Sequence, residues 1–201
     1  MYTLYYFPGA CSLAVQVVMR ELNLSFELID KNSVADFEKI NPTGTVPVLV
    51  NGDEIMREGA ATLLYLLEKH SNSFITESNK QEAVENIMFA NATIHPAYSK
   101  MFFLERIVEN QSTKEMLQQV AADKISNLWA IVEDRLSNQP FLGGESISVA
   151  DILLAVYSRW GQFFSANITI GAKAQSMIDS VIAMPSFQQA IEAEQQHAAA
   201  A

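Results

Sequence analysis

Cysteine is almost missing from this chain: Cys11 is the only one in 201 residues. A single cysteine makes no internal disulfide, which excludes a disulfide-stapled secreted scaffold and fits a reducing compartment. Basic residues are scarce as well. Lysine and arginine total 13 against 23 aspartates and glutamates, for a formal net charge of −10. That balance argues against a nucleic-acid or anionic-membrane partner, since both select basic surface. It leaves room for a small anionic ligand, which one cation or one helix N-terminus can hold. Long apolar runs are absent too. The longest candidate, Ile147 to Val156, is broken by Asp151 and falls well short of the roughly 18 residues that span a bilayer. The first residues lack the basic segment, apolar core and small-residue cleavage site of a secretory leader, so a cytoplasmic location is expected. The three histidines and the cysteine are scattered without metal-ligand spacing, and no phosphate-binding glycine loop is present. No metal is expected.

What is present is a substantial apolar fraction, 49% of the residues, enough for one core or two small ones. The first part of the chain alternates periods. Tyr2 to Phe7 reads as a strand, Leu13 to Leu22 repeats at helical spacing, and Ser25 to Ile29 alternates as a second strand. Strand, helix, strand at this spacing predicts a βαβ unit with a parallel pair. Val34 to Ile40 reads as one or two turns of helix. The Asn41-Pro42-Thr43-Gly44-Thr45-Val46-Pro47 segment then enters a strand at Val48 to Val50. Asn51-Gly52 predicts a type I′ hairpin to Glu54–Met56. Ala60 to Lys69 follows as a helix with a leucine face, and Ser71 to Asn79 as a polar linker.

Beyond the linker strand signals largely stop. Lys80 to about Gln111 is helical with Pro96 as a kink or break. Ser112 to Glu115 reads as a capping box opening a helix to about Ser137. Ser148-Val149-Ala150-Asp151 is a second one, with Ile147 and Ile152 at the staple positions and a helix to about Phe164. One or two short helices close the chain between Ala172 and Gln195, and the final alanines read as an unconstrained tail. The expected architecture is an α/β domain over residues 1–76 and an all-α domain over residues 80–201.

Cys11 and Ser12 stand where the first strand turns into the first helix, behind a Pro8-Gly9 turn. Free N–H groups and the positive end of the helix dipole favour negative charge there. The expectation is a thiol of lowered pKa, weighed against the common case of a small buried side chain. Ser12 either caps the helix or donates to a bound anion. Tyr6, at the strand end, either packs or donates its phenol to a thiolate. Val46-Pro47 is a candidate cis bond that would leave the Val46 N–H and C=O open to an extended, peptide-like ligand. Gly59 opens a helix whose N–H groups suit a carboxylate, and Glu58 either holds an ammonium group or simply occupies a helix start. His95, followed by Tyr98, Phe102 and Phe103, is either a satisfied packing residue or part of an apolar substrate wall.

These motifs, in this order, resemble the glutathione S-transferase superfamily, and its bacterial beta class in particular. The resemblance is carried by Tyr6-x-Pro8-Gly9-Ala10-Cys11-Ser12-Leu13, Asn41-Pro42-x-Gly44-x-Val46-Pro47-Val48-Leu49, Arg57-Glu58-Gly59-Ala60-Ala61 and Ser148-Val149-Ala150-Asp151. It implies a thioredoxin-like N-terminal domain, an all-helical C-terminal domain, homodimers and a role in detoxification. Glutathione would be the co-substrate. Val46 would pair with its cysteinyl main chain beside Pro47, Glu58 and Gly59 would hold its γ-glutamyl end, and Lys31 would face the glycyl carboxylate. Cys11, Ser12, Tyr6 and His95 would surround its sulfur. The implied reaction is conjugation of the glutathione thiolate to a small apolar electrophile lying on Tyr98, Phe102, Phe103 and Trp160. Two alternatives stand beside it: glutathione-dependent thiol–disulfide exchange through Cys11, and a transferase-like binding protein without turnover. Pro96, where beta-class members usually carry lysine, and Met88, where asparagine is frequent, depart from the pattern.

Overall fold

A computed structural model describes residues 1–200, with side chains through Gln196. The final alanines, read above as a tail, lie outside the residues whose side chains are described. The chain forms two compact units, Met1–Lys80 with Ile182–Ala201, and Gln81–Val181.

The first unit holds a four-stranded sheet of order β2-β1-β3-β4. Strand β1 (Tyr2–Tyr6) pairs parallel with β2 (Phe26–Asp30), and helix α1 (Ser12–Glu21) connects them. That is the predicted βαβ unit. Alternation in β1 buries Tyr2, Leu4 and Tyr6 on one face. On α1, Leu13, Ala14, Val17 and Val18 are fully buried. Of the one or two helical turns read from Val34 to Ile40, the structure forms one, the 3-10 turn Phe37–Lys39, and another 3-10 turn, Lys31–Ser33, lies ahead of that segment. Asp36 stands between them at φ 56, a left-handed residue that a continuous helix does not admit. Strand β3 (Val48–Asn51) pairs antiparallel with β1 and with β4 (Glu54–Met56). The hairpin exists, but Asn51 pairs with Glu54, so the loop is Gly52-Asp53. Gly52 alone takes a positive φ, 60°, which is the II′ pattern rather than I′. Helix α2 (Gly59–Lys69) buries Leu63 and Leu66. The last helix, α8 (Pro185–Ala200), packs on α1 within this unit.

The second unit is helical. Helix α3 (Lys80–Phe89) runs into a π-helical turn over Ala90–Ile94, and α4 (His95–Ile107) begins at once. The turn answers the expected kink: Pro96 sits in the first turn of α4, where its missing N–H costs least. Helix α5 (Gln111–Arg135) is capped two residues earlier than expected. Asn110, not Ser112, is the N-cap, and its Oδ1 accepts from the Thr113 N–H at 3.0 Å. The indole Nε1 of Trp129 donates to the Tyr98 hydroxyl at 2.9 Å, both side chains being fully buried.

The Ser148–Asp151 capping box opens α6 (Val149–Ser158) as expected, and both reciprocal bonds are made. Asp151 does more than cap. Its Oδ2 accepts from the Ser148 N–H (2.8 Å) and hydroxyl (2.7 Å), and its Oδ1 from the Leu142 N–H (3.0 Å). After α6 the chain tightens into a 3-10 turn, Arg159–Phe163, and α7 spans Ala172–Ile182. The carboxylate of Glu133 on α5 caps α7, accepting from the N–H groups of Lys173 and Ala174.

Candidate functional site

In the first unit the segments singled out by sequence converge on Cys11. Its Sγ donates to the Val46 carbonyl at 3.3 Å, and the charge of Glu58 acts on the same thiol. The Val46–Pro47 bond is cis. Of the two Val46 groups expected to be open, the carbonyl is therefore engaged by Cys11. The N–H makes no hydrogen bond among the described residues. Glu58 occupies the N-cap position of α2 in extended conformation, and its side chain makes no capping bond. Only from Thr62 onward does this helix pair its N–H groups, with Glu58 O at 2.8 Å. The donors of Gly59, Ala60 and Ala61 are thus left at a positive helix end.

The expected lowering of the Cys11 thiol is overturned. Burial pushes it up to about 11. The N–H groups of Cys11 and Ser12 pull it down and the Glu58 carboxylate pushes it further up. Desolvation disfavours the thiolate more than the start of α1 favours it. We therefore expect alkylation of Cys11 by iodoacetamide to be slow at neutral pH. It should rise about tenfold per pH unit and level off only near pH 11. A rate already flat between pH 7 and 8 would contradict this environment.

Ser12 does not cap α1; Cys11 holds the N-cap position without a side-chain capping bond. The Ser12 hydroxyl, fully buried, turns back on Phe7, accepting from its N–H and facing its carbonyl, both at 3.4 Å. Tyr6 is fully buried on the core face of β1. Burial, with the charges of Asp30 and Glu194, pushes its phenol up to about 12. Lys31 donates to the Gly44 carbonyl at 2.9 Å and lies over the Phe7 ring at 5.6 Å. It stands between the loop ahead of Cys11 and the loop ahead of Val46.

His95 belongs to the second unit. Its ring meets Tyr157 at 5.2 Å and Trp160 at 5.3 Å, edge to face, and its Nδ1 lies 3.4 Å from the Ser99 hydroxyl. Burial lowers its pKa, so the imidazole is neutral at pH 7. Trp160 also meets Tyr98 and Phe102, and Phe102 meets Phe164 at 4.8 Å. Phe102 and Phe103 present their rings to solvent.

One residue escaped sequence reading. Glu194 of α8, nearly buried, accepts from the Gly9 N–H at 2.8 Å and from the Gln16 side-chain amide at 2.6 Å. Gly9 takes φ +73, a conformation glycine adopts without strain, and this aims its N–H at the carboxylate. The pair spans 185 positions of sequence, and no local pattern marks it.

Two family models match the chain: the N-terminal domain of glutathione S-transferase over residues 4–74 and its C-terminal domain over residues 90–175. A glutathione S-transferase of Xanthomonas campestris is 28% identical over 95% of this chain and 98% of its own length. A solved glutathione S-transferase from Xylella fastidiosa superposes with a TM-score of 0.87 at 26% identity, covering 97% of this chain and 99% of that one. A solved glutathione transferase from Methylococcus capsulatus gives 0.80 at 31% identity, covering 98% and 100%. The fold, the matched domains and a near-complete overlap with these relatives agree: the chain belongs to the glutathione S-transferase family.

Proposed function

We propose that this protein conjugates the thiolate of glutathione to small apolar electrophiles. The observation that carries the proposal is the open Val46 N–H beside a thiol that also feels Glu58 at the uncapped start of α2. A tripeptide with a carboxylate and an ammonium at one end suits that set. Its cysteinyl main chain pairs with the Val46 N–H. Its γ-glutamyl carboxylate takes the N–H of Gly59, and Glu58 takes the ammonium. Lys31 serves the glycyl carboxylate by exchanging its bond to Gly44.

The glutathione sulfur then lies near Cys11, Ser12 and the start of α1. A thiol with a pKa of about 11 is a neutral S–H at pH 7. In this reading Cys11 donates to the glutathione thiolate and is not itself the nucleophile. That disfavours disulfide exchange through Cys11. Tyr6 supports the strand end from the core, and His95 acts as a neutral ring in an aromatic wall. The electrophile packs on Phe102 and Phe103, with Tyr98 and Trp160 behind them. A groove of about 290 Å³ between α4 and α5, lined by Ala92, Pro96 and Ala121 and flanked by Lys100 and Lys124, suits a second copy of this acidic chain. We read the protein as a cytoplasmic homodimer acting in detoxification.

Calorimetric titration with glutathione, followed by turnover of an aryl halide, tests this. Binding by millimolar ligand and conjugation by the wild type are expected. Cys11→Ala should keep conjugation within about tenfold while losing any mixed disulfide with glutathione. Absence of heat at millimolar glutathione would overturn the proposal.

A further inference from the structure

The far end of α1 carries a cation without an ion-pair partner among the described residues. Arg20 lies in the last turn of the helix, ahead of a tight turn in which Asn23 takes φ 53 before β2 begins. Its guanidinium forms no ion pair or hydrogen bond among the described residues, and its Nε is buried without a partner. Its charge lies over the Phe26 ring, with Cζ 5.5 Å from the ring centroid. Glu21 and Glu27 are close in sequence, yet neither bonds to it. In a chain with ten more acids than bases, an arginine left unpaired while carboxylates are plentiful is a site in search of an anion.

It lines a pocket of about 450 Å³ together with Met1, Leu24, Ser25, Phe26, Leu28 and Ala193. Two of its features select a ligand. The guanidinium is a planar fork matched to a carboxylate, and Ser25 lines the same pocket with a hydroxyl. The remainder, Leu24, Phe26, Leu28 and Ala193, offers apolar surface for a body of a few carbons. We propose that this pocket binds a small amphipathic carboxylate, its head on Arg20 and its apolar body along Phe26 and Leu28. The pocket lies about 14 Å from Cys11 along the axis of α1, at 1.5 Å per residue. It is therefore separate from the site assigned to glutathione, and the two ligands bind together.

Octanoate is the probe, and 1-octanol, with the same chain and no charge, is its control. Titration of the full chain followed by amide chemical shifts should place the octanoate-induced shifts at Arg20, Ser25 and Phe26. 1-Octanol should bind at least tenfold more weakly. Saturating glutathione should leave the octanoate affinity unchanged. Arg20→Gln keeps a polar side chain and should weaken octanoate at least tenfold without altering glutathione conjugation. Equal binding of octanol and octanoate by the wild type would overturn the proposal, whatever the variant does. So would displacement of octanoate by glutathione, or shifts confined to other elements.

Discussion

Asp151→Ala is expected to destabilise the protein by about 4 kcal/mol, lowering its melting temperature by roughly 8–16 °C. The carboxylate is fully buried and serves three donors. Two of them, the N–H groups of Leu142 and Ser148, have no replacement partner once it is gone. Each buried orphan donor costs about 1–3 kcal/mol, and the lost cap adds to that. The loop ahead of α6 has little freedom to adapt. A Cβ on Gly143 would stand 2.5 Å from the Ser146 carbonyl, so its backbone is already closely packed. Ser148→Ala removes the hydroxyl alone and should cost about 1–2 kcal/mol. Thermal and urea unfolding of both variants measure the difference. An Asp151→Ala loss no larger than that of Ser148→Ala would mean that the bonds from the Leu142 and Ser148 N–H groups contribute nothing.

Glu194→Ala should reduce both stability and conjugation. The carboxylate joins α8 to the turn before Cys11 through Gly9, and to α1 through Gln16. Charge-assisted bonds of this kind contribute about 1.5–3 kcal/mol each, and a loss of about 3 kcal/mol is expected. The turn it fixes precedes the start of α1, where we propose that the glutathione sulfur binds. A displacement there costs rate out of proportion to distance, on the order of a hundredfold for an ångström. Conjugation measured at temperatures where the variant is still folded separates the two effects. Unchanged turnover in a folded Glu194→Ala protein would show that the turn holds its shape without α8.

Much of this was legible in the sequence because the deciding signals are local. The βαβ unit follows from the change in apolar period between Tyr2 and Ile29, and the α6 cap from four consecutive residues. The resemblance rests on short motifs of the same kind. The exceptions are features whose outcome depends on competition or on distance. The one or two helical turns expected from Val34 to Ile40 reduce to a single 3-10 turn, Phe37–Lys39, because Asp36 adopts a left-handed conformation just ahead of it. The Asn51-Gly52 hairpin moves by one residue because Asn51 is used in pairing, its side chain bonding to Tyr65 at 3.0 Å. Cys11 was expected to ionise easily, since a helix start is visible in sequence and the burial that opposes it is not. Glu194 carries no signal at all, because its partners lie at the opposite end of the chain.

That separation also governs the order in which the protein is made. Gly9 leaves the ribosome 185 residues before Glu194, a delay of about 10–40 s at ordinary elongation rates of 5–20 residues per second. Throughout it, the nascent turn before Cys11 must be served by water. The turn before Cys11 is thus completed by a side chain synthesised 185 residues after it, and a chain stalled before Glu194 would lack that bond.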